Sequence, residues 1–551
     1  MQINSFPWAK GIIPVALLGS FHLNAQEEER KLPNIIIIMT DDMGYSDLGC
    51  YGGEINTPNI DKLAENGLRF TNFYNCGRSW PTRASLLSGY YPNAIGMDHP
   101  RKPSPSWVKT LPQYLKGVGY KTYHSGKWHY MNKPQPRSDG GFDQSCMLAR
   151  HGFYFYDYDL VLNDQPPERH TKKDDKFLTT VLTDHALSFL DEHHQNDSDK
   201  PFFLYLAYFA PHFPLQARSE DIDKYRDRYI DGWDQLKQER WKRMKNAGLV
   251  NHSPPPREPY VNQTYEHLMT DKILLDSLGT GEVLYPVAWE SLSDKEKQFQ
   301  SMKMAIHAAM VDRIDQEVGR VVGQLKSMGV FENTLIFFLS DNGASAEIMI
   351  RGNGHDRNAE PGSAETFLCL GPGWANASNT PFRRYKSWTH EGGVATPLIV
   401  HWPQAISSIG ALRDDPGHVI DFVPTLLDLV GLQQESVWQG SLVPTLPGKS
   451  LVPAFFTEGS VNHEYLYFNH HAMSENGIQN RALRMGHWKI VSSGTDNDKW
   501  SLYNLENDRG EQIDLSEDKP ELLKIMVKKW MEVDEEYENI SNQGKIIYDL
   551  Y

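Results

Sequence analysis

Ser79 stands two residues before Pro81 and four before Arg83, in the run Cys76-Gly77-Arg78-Ser79-Trp80-Pro81-Thr82-Arg83, and Leu86-Leu87-Ser88-Gly89 follows. Proline near a start and glycine near an end punctuate helices, so this spacing predicts a helix with Ser79 at its N-terminus. Free backbone N–H groups and the helix dipole favour an anion there. Arg83, about one turn on, adds a fixed positive charge on the same face. The set suits a nucleophile that handles an anion; taken alone, the run also reads as a serine capping a core helix.

Two acidic doublets, Asp41-Asp42 and Asp341-Asn342, lie far apart in the chain. Like charges gathered in one place repel and call for a cation, and all-oxygen ligation suits calcium or magnesium. A further compact stretch is Gly119-Tyr120-Lys121-Thr122-Tyr123-His124-Ser125-Gly126-Lys127-Trp128-His129. Lys127 and His129 alternate around Trp128, so an extended backbone would project both from one face. One would neutralise an anion while the other moves a proton. His212 sits in Ala210-Pro211-His212-Phe213-Pro214, where two prolines stiffen its surroundings. Lys386 follows Phe382-Arg383-Arg384-Tyr385, with His390-Glu391-Gly392-Gly393 next; Arg383 and Arg384 read as surface charges.

Elements that would carry these residues can be read from the apolar runs. Asn34 to Thr40 leads into Asp41-Asp42, Thr334 to Leu339 into Ser340-Asp341-Asn342-Gly343, and Phe202 to Tyr208 towards His212. Near-continuous apolar runs of this length suit parallel strands buried on both faces. In such sheets ligands bind beyond the carboxyl ends of the strands. Helices are predicted over Pro58 to Leu68, with Thr57 as cap, and over the amphipathic stretch Ser301 to Gly329. A strand Ala395 to His401 follows Lys386. The alternation argues for an α/β fold with a large, mostly parallel sheet. Residues 217–297 are charged, rich in Trp, Tyr and Pro, and read as an insertion over the active face. From residue 459 onward, strands over Arg481 to Val491 and Trp500 to Leu505, then a helix from Lys519 to Tyr537, predict a smaller α+β subdomain with an antiparallel sheet.

The 551-residue chain is 40% hydrophobic and 23% charged, with a net charge of −16. That balance argues against nonspecific binding to nucleic acid or anionic membrane. Four cysteines without a CxxC pair are too few for a disulfide scaffold or zinc site. Buried free thiols are predicted, with room for one disulfide. Lys10, the apolar stretch Gly11 to Phe21, and Asn24-Ala25-Gln26 read as an export signal over residues 1–25. The stretch is short for a retained membrane span, and no cysteine closely follows for lipid attachment.

Ser79-Trp80-Pro81-Thr82-Arg83 with Leu86-Leu87-Ser88-Gly89, and Gly119 to His129, resemble the two signatures of the formylglycine-dependent (type I) sulfatases. Pro214-Leu215-Gln216-Ala217, Tyr229-Ile230-Asp231-Gly232-Trp233-Asp234 and Ala308-Ala309-Met310-Val311-Asp312 are similar to the arylsulfatase branch. The likeness runs from about Leu32 to Leu515. It implies an alkaline-phosphatase/sulfatase-like catalytic domain over 30–458, a C-terminal subdomain over 459–551, and hydrolysis of an aryl or carbohydrate sulfate ester. It further implies that Ser79 is oxidised to Cα-formylglycine (3-oxoalanine), and that Asp41, Asp42, Ser79, Asp341 and Asn342 surround one Ca2+ per chain. Arg83 and Lys127 would offset oxygen charge, Asp341 accept a proton, His212 or Lys386 protonate the leaving alcohol, and His129 assist sulfate release. Asp98, His99 and His390 are candidates for the leaving-group side.

The commonest form of the family has Cys where this chain has Ser79, and Cys76 is three residues out of register with Pro81 and Arg83. Serine-type members resemble bacterial proteins matured by an anaerobic formylglycine-generating enzyme before export to the periplasm or medium. An engineered Cys→Ser change would leave the same text. Two alternatives to sulfate ester hydrolysis are a phosphate or phosphonate monoester hydrolase on the same superfamily fold and a sulfated-glycan binding protein without turnover.

Overall fold

The computed structural model describes residues 31–98, 104–150, 152–172, 176–259, 261, 271–351, 354–471, 479–493 and 499–543. The residues of the expected export signal, and His99, lie outside them. Ten strands form one mixed sheet: β1 (Asn34–Thr40), β2 (Leu68–Phe70), β3 (Lys121–Lys127), β4 (Gln144–Arg150), β5 (Tyr158–Leu162), β6 (Glu168–His170), β7 (Phe202–Ala207), β8 (Thr334–Ser340), β9 (Leu398–His401) and β10 (Ala411–Arg413). Their spatial order is β10-β2-β9-β8-β1-β7-β3-β4-β5-β6.

The centre of this sheet explains the apolar runs. β1 lies between β7 and β8, parallel to both, and all three are buried along their length. Each of Ile35 to Ile38 is essentially fully buried, contributing about 1.5–3 kcal/mol apiece. The register pairs Thr40 with Ser340 and Met39 with Ala207. Asp41 and Asp341 therefore leave the sheet side by side, next to the chain that runs on to His212.

Helices cover the sheet. α1 (Pro58–Glu65) is followed by α2 (Ser79–Ser88), α3 (Leu178–Asn196), α4 (Gly232–Asn246) and α5 (Asp294–Ser327). α1 stops three residues earlier than its sequence predicts, because Leu68 is recruited by the sheet and pairs with Val400 and Ala411. α5 starts at a capping box in which Ser293 and Glu296 satisfy each other's backbone N–H groups, and it packs on α1 and α3. α4 is anchored by Arg240, whose guanidinium lies 2.7 Å from both Asp47 and Glu54.

A second, four-stranded antiparallel sheet comprises β11 (Leu466–His471), β12 (Gln479–Met485), β13 (Trp488–Ser493) and β14 (Ser501–Asn504). The expected strand Arg481 to Val491 is a hairpin, because Gly486 takes φ 58° and turns the chain. α6 (Pro520–Gln543) closes the region. All four cysteines are free thiols; Cys146 and Cys369 are buried, whereas Cys50 and Cys76 are half-buried. Among the described residues no helix is long and apolar enough to cross a membrane.

Candidate active site

Ser79 is the first residue of α2, preceded by Arg78 in extended conformation. The helix ends at Gly89, whose φ of 81° is the left-handed C-cap that glycine allows. Ser79 Oγ lies 3.1 Å from Asp41 Oδ1 and 3.3 Å from Asn342 Oδ1. Asn342 donates its side-chain amide to Asp42 Oδ1 at 2.7 Å, and the Asp42 backbone N–H donates to Asp341 Oδ1 at 3.3 Å. The helix N-terminus thus meets both acidic doublets.

Cations interleave with these carboxylates. Arg83 donates Nε and Nη2 to Asp341 Oδ2 at 3.0 and 2.8 Å, and Nη1 to the Lys127 carbonyl at 3.1 Å. Lys127 Nζ donates to Asp41 Oδ2. Lys386 Nζ bridges Asp42 and Glu347, 3.0 Å from each. His212 Nε2 lies 3.7 Å from Asp42 Oδ2, with Nδ1 2.6 Å from the Phe213 carbonyl oxygen. That oxygen can only accept, so Nδ1 carries the proton and Nε2 faces the site.

Backbone geometry is shaped for this convergence. The segment before Lys127 passes so close to β7 that a Cβ on Gly126 would lie 1.9 Å from the Ala207 carbonyl oxygen. Asp42 and His129 adopt φ of 65° and 52°. Such left-handed residues cost on the order of 1–3 kcal/mol each and concentrate at functional sites. The turn at His129 also corrects a sequence expectation. β3 ends at Lys127, so the extended alternation stops there: Lys127 reaches Asp41, whereas the His129 ring packs against Trp80 at 6.1 Å.

Electrostatics mark the cluster as short of positive charge. Burial drives the Asp42 carboxyl up to about 7; Lys386 opposes this, while Asp41, Glu347 and Asp341 add to it. Asp341 is likewise raised by burial and by Asp41, although Arg83 pulls it down. Asp41 is held well below its ordinary range, since Lys127, His212 and Arg83 outweigh its burial. Burial pushes His212 well below the usual imidazole value. Ligand atoms of Asp41, Asp42 and His212 all lie within 4.8 Å of one another. A hard divalent cation fits this donor set: buried carboxylate and amide oxygens crowded together with a negative excess.

Of the residues singled out from the sequence, Asp41, Asp42, Ser79, Arg83, Lys127, His212, Asp341, Asn342 and Lys386 come together. His129 and Asp98 lie on the Trp80 side. His390 is buried against Trp388, 6.0 Å between rings, and hydrogen-bonds to none of the cluster. Arg383 and Arg384 are not surface charges; both pair with Glu258. Glu347 is the residue the sequence reading missed. Its signal is the lone charge in the stretch Ala344 to Ile350, and Ser345 Oγ donates to it at 2.7 Å.

The sulfatase family model matches residues 33–432, and a model described as N-sulphoglucosamine sulphohydrolase, C-terminal, matches residues 383–538. An uncharacterized sulfatase of Schizosaccharomyces pombe is 31% identical, covering 92% of this chain and 94% of its own. An arylsulfatase of Klebsiella aerogenes is 29% identical over 76% of this chain and 90% of its own. The crystal structure of Ps i-CgsB in complex with k-i-k-neocarrahexaose superposes with a TM-score of 0.64 at 26% identity, covering 92% of this chain and 93% of that one. The family model and the named relatives are those of sulfatases, which supports sulfate ester hydrolysis as the activity. With two signatures, a buried oxygen-rich cluster and a match spanning the whole catalytic sheet, the chain belongs to the type I sulfatase family and is a sulfuric ester hydrolase.

Proposed function

We propose that the chain hydrolyses a carbohydrate sulfate ester through a Ser79-derived nucleophile beside a calcium ion. The observation that supports this most is Ser79 Oγ, at a helix N-terminus and within hydrogen-bond reach of Asp41 and Asn342. Oxidation of Ser79 to Cα-formylglycine would supply a hydrated aldehyde whose hydroxyl attacks sulfur. A calcium ion held by Asp41, Asp42, Asp341 and Asn342, with residue 79 beside it, would offset charge on the ester oxygens.

The chain's own residues do the rest. Arg83, fixed by Asp341 and the Lys127 carbonyl, keeps a permanent positive charge against the sulfate oxygens without reorganising. Lys127 adds a second charge from the end of β3. Asp341 accepts the proton of the attacking hydroxyl. His212 Nε2 and Lys386 Nζ both face Asp42, on the side where the departing alcohol needs a proton. His129 takes the proton that accompanies sulfate release.

Residues 1–25 act as an export signal, with an anaerobic formylglycine-generating enzyme modifying Ser79 before a bacterial host exports the protein. Residues 30–458 form the catalytic domain, with 217–297 inserted over its face, and 459–551 a C-terminal subdomain. Mass spectrometry of the peptide containing Ser79, after co-expression with such a maturase, tests the reading directly. The expected product is lighter by two hydrogens and releases sulfate; an unmodified serine with no sulfate release overturns it.

A further inference from the structure

Glu347 is buried on the irregular stretch after β8, and the proposed chemistry gives it no step. Ser345 Oγ donates to its carboxylate at 2.7 Å and receives the Glu347 backbone N–H at 3.2 Å, a local turn that fixes the side chain. Two residues on, Met349 packs with Phe367, Cys369 and Phe213, the neighbour of His212. Lys386 is tied to the same stretch at both ends. Its backbone N–H donates to the Ala344 carbonyl at 3.2 Å, and its Nζ lies 3.0 Å from the Glu347 carboxylate. A cation seated on Asp42 would compete with the ammonium for the Asp42 carboxylate, whereas Glu347 stays available on the other side. Burying a carboxylate is expensive, and Asp42 already pairs with Lys386, so the added charge calls for a use.

We propose that Glu347 is a positioning residue that also sets the charge of the site, so that a singly charged sulfate ester is accepted and the doubly charged phosphate ester of the same shape is disfavoured. The inference rests on the sulfate ester and calcium reading above. The carboxylates of Asp41, Asp42, Asp341 and Glu347 outnumber Arg83, Lys127 and Lys386 by one. His212 adds no charge, because burial keeps its imidazole neutral. A divalent cation turns the single negative excess into a single positive one. A sulfate monoester carries one negative charge and cancels it, whereas a phosphate monoester carries nearly two at neutral pH and overshoots. Without Glu347 the excess would be two positive charges, which suits the phosphate ester instead. In a site of reduced dielectric such a mismatch is felt strongly across several ångströms.

The test measures binding rather than turnover, on full-length, calcium-loaded protein left unmatured at Ser79. The probes are two pairs of esters alike in shape and differing in charge: N-acetylglucosamine 6-sulfate with its 6-phosphate, and 4-nitrophenyl sulfate with 4-nitrophenyl phosphate. Calorimetry at about pH 8, where the phosphate esters are dianions, is expected to show wild type holding the sulfate member tighter in at least one pair. Glu347→Gln should shift the affinity ratio of that pair at least about tenfold towards phosphate. Glu347→Asp, which keeps the charge, should leave the ratio within about twofold of wild type. A merely structural role would weaken both members alike; that result overturns the inference, as does a wild type without preference. Binding of none of the four by wild type overturns the inference and the proposed function together. The proposed function fails alone if matured wild type carries the aldehyde and releases no sulfate while the binding ratio shifts as stated.

Discussion

Two ionic clusters are buried in this molecule, and they are balanced differently. Around Ser79, four carboxylates (Asp41, Asp42, Asp341 and Glu347) face three cations (Arg83, Lys127 and Lys386). Around Glu391, two carboxylates (Glu391 and Glu511) face Lys489, Arg509 and Arg484, with Tyr74 donating to Glu391 at 2.9 Å. Burial is equally deep in both. Yet Asp42 is driven up to about 7, whereas Glu391 is held at about 2, because Lys489, Arg509 and Arg484 outweigh its desolvation. Glu391 precedes β9, while Lys489 is on β13 and Arg509 follows β14, so this second cluster fastens the C-terminal sheet to the main one. Glu511 in the second cluster is itself raised by burial, so what that cluster holds ionised is Glu391, flanked by three cations, and this ties structure together. The first cluster, with more carboxylates than cations, is arranged for something that binds.

Substitutions can break this contrast. The largest effect is expected from Ser79→Ala, compared with matured wild type: sulfate release should fall by at least about 10^4-fold with the melting temperature unmoved. A variant that loses fold instead of rate would make the first cluster structural too. Glu391→Ala should do the reverse, costing about 3–5 kcal/mol in urea unfolding by stranding buried cations, while kcat of the folded fraction holds.

Acid sharpens the same point. Glu391 is depressed from 4.5 to about 2 on folding. Its contribution is therefore complete above about pH 4.5 and is lost as the pH falls towards 2. That difference corresponds to about 3 kcal/mol, read as the gap between wild type and Glu391→Gln across the window. Overlapping acid curves for the two proteins would show that the cluster does not hold Glu391 ionised. The smallest effect is on the first cluster. Calcium added after chelation should stabilise wild type by about 2.7 kcal/mol at a hundredfold excess over its Kd, and Asp42→Asn should abolish the gain. An unmoved melting temperature would mean that the excess carboxylate charge serves something other than a cation, and magnesium matching calcium would correct the ion.

Much of the site was legible because parallel strands buried on both faces read as unbroken apolar runs. Those of β1 and β8 stop at acidic doublets, and that of β7 leads to His212. The pairing register then does what no local pattern can, setting Asp41 beside Asp341. Lys127 and His129 were found as residues but misplaced as geometry, since a left-handed turn at His129 leaves no period in the sequence. Arg383 and Arg384 looked like solvated charges because their partner, Glu258, lies in the chain segment before α5. Glu347 has only a tertiary reason to be near the site: it follows Asp341 on an irregular loop.

The ladder between β1 and β8 also sets a timetable. Asp42 meets Asp341 across 299 residues of chain and Lys386 across 344. On a ribosome adding about 5–20 residues per second, Lys386 follows Asp42 by roughly 20–70 s, whereas Lys127, the partner of Asp41, follows much sooner. Truncations ending before Lys386 therefore hold no working fraction of the site. In refolding, returning activity marks the closing of the longest loops rather than the collapse that precedes it.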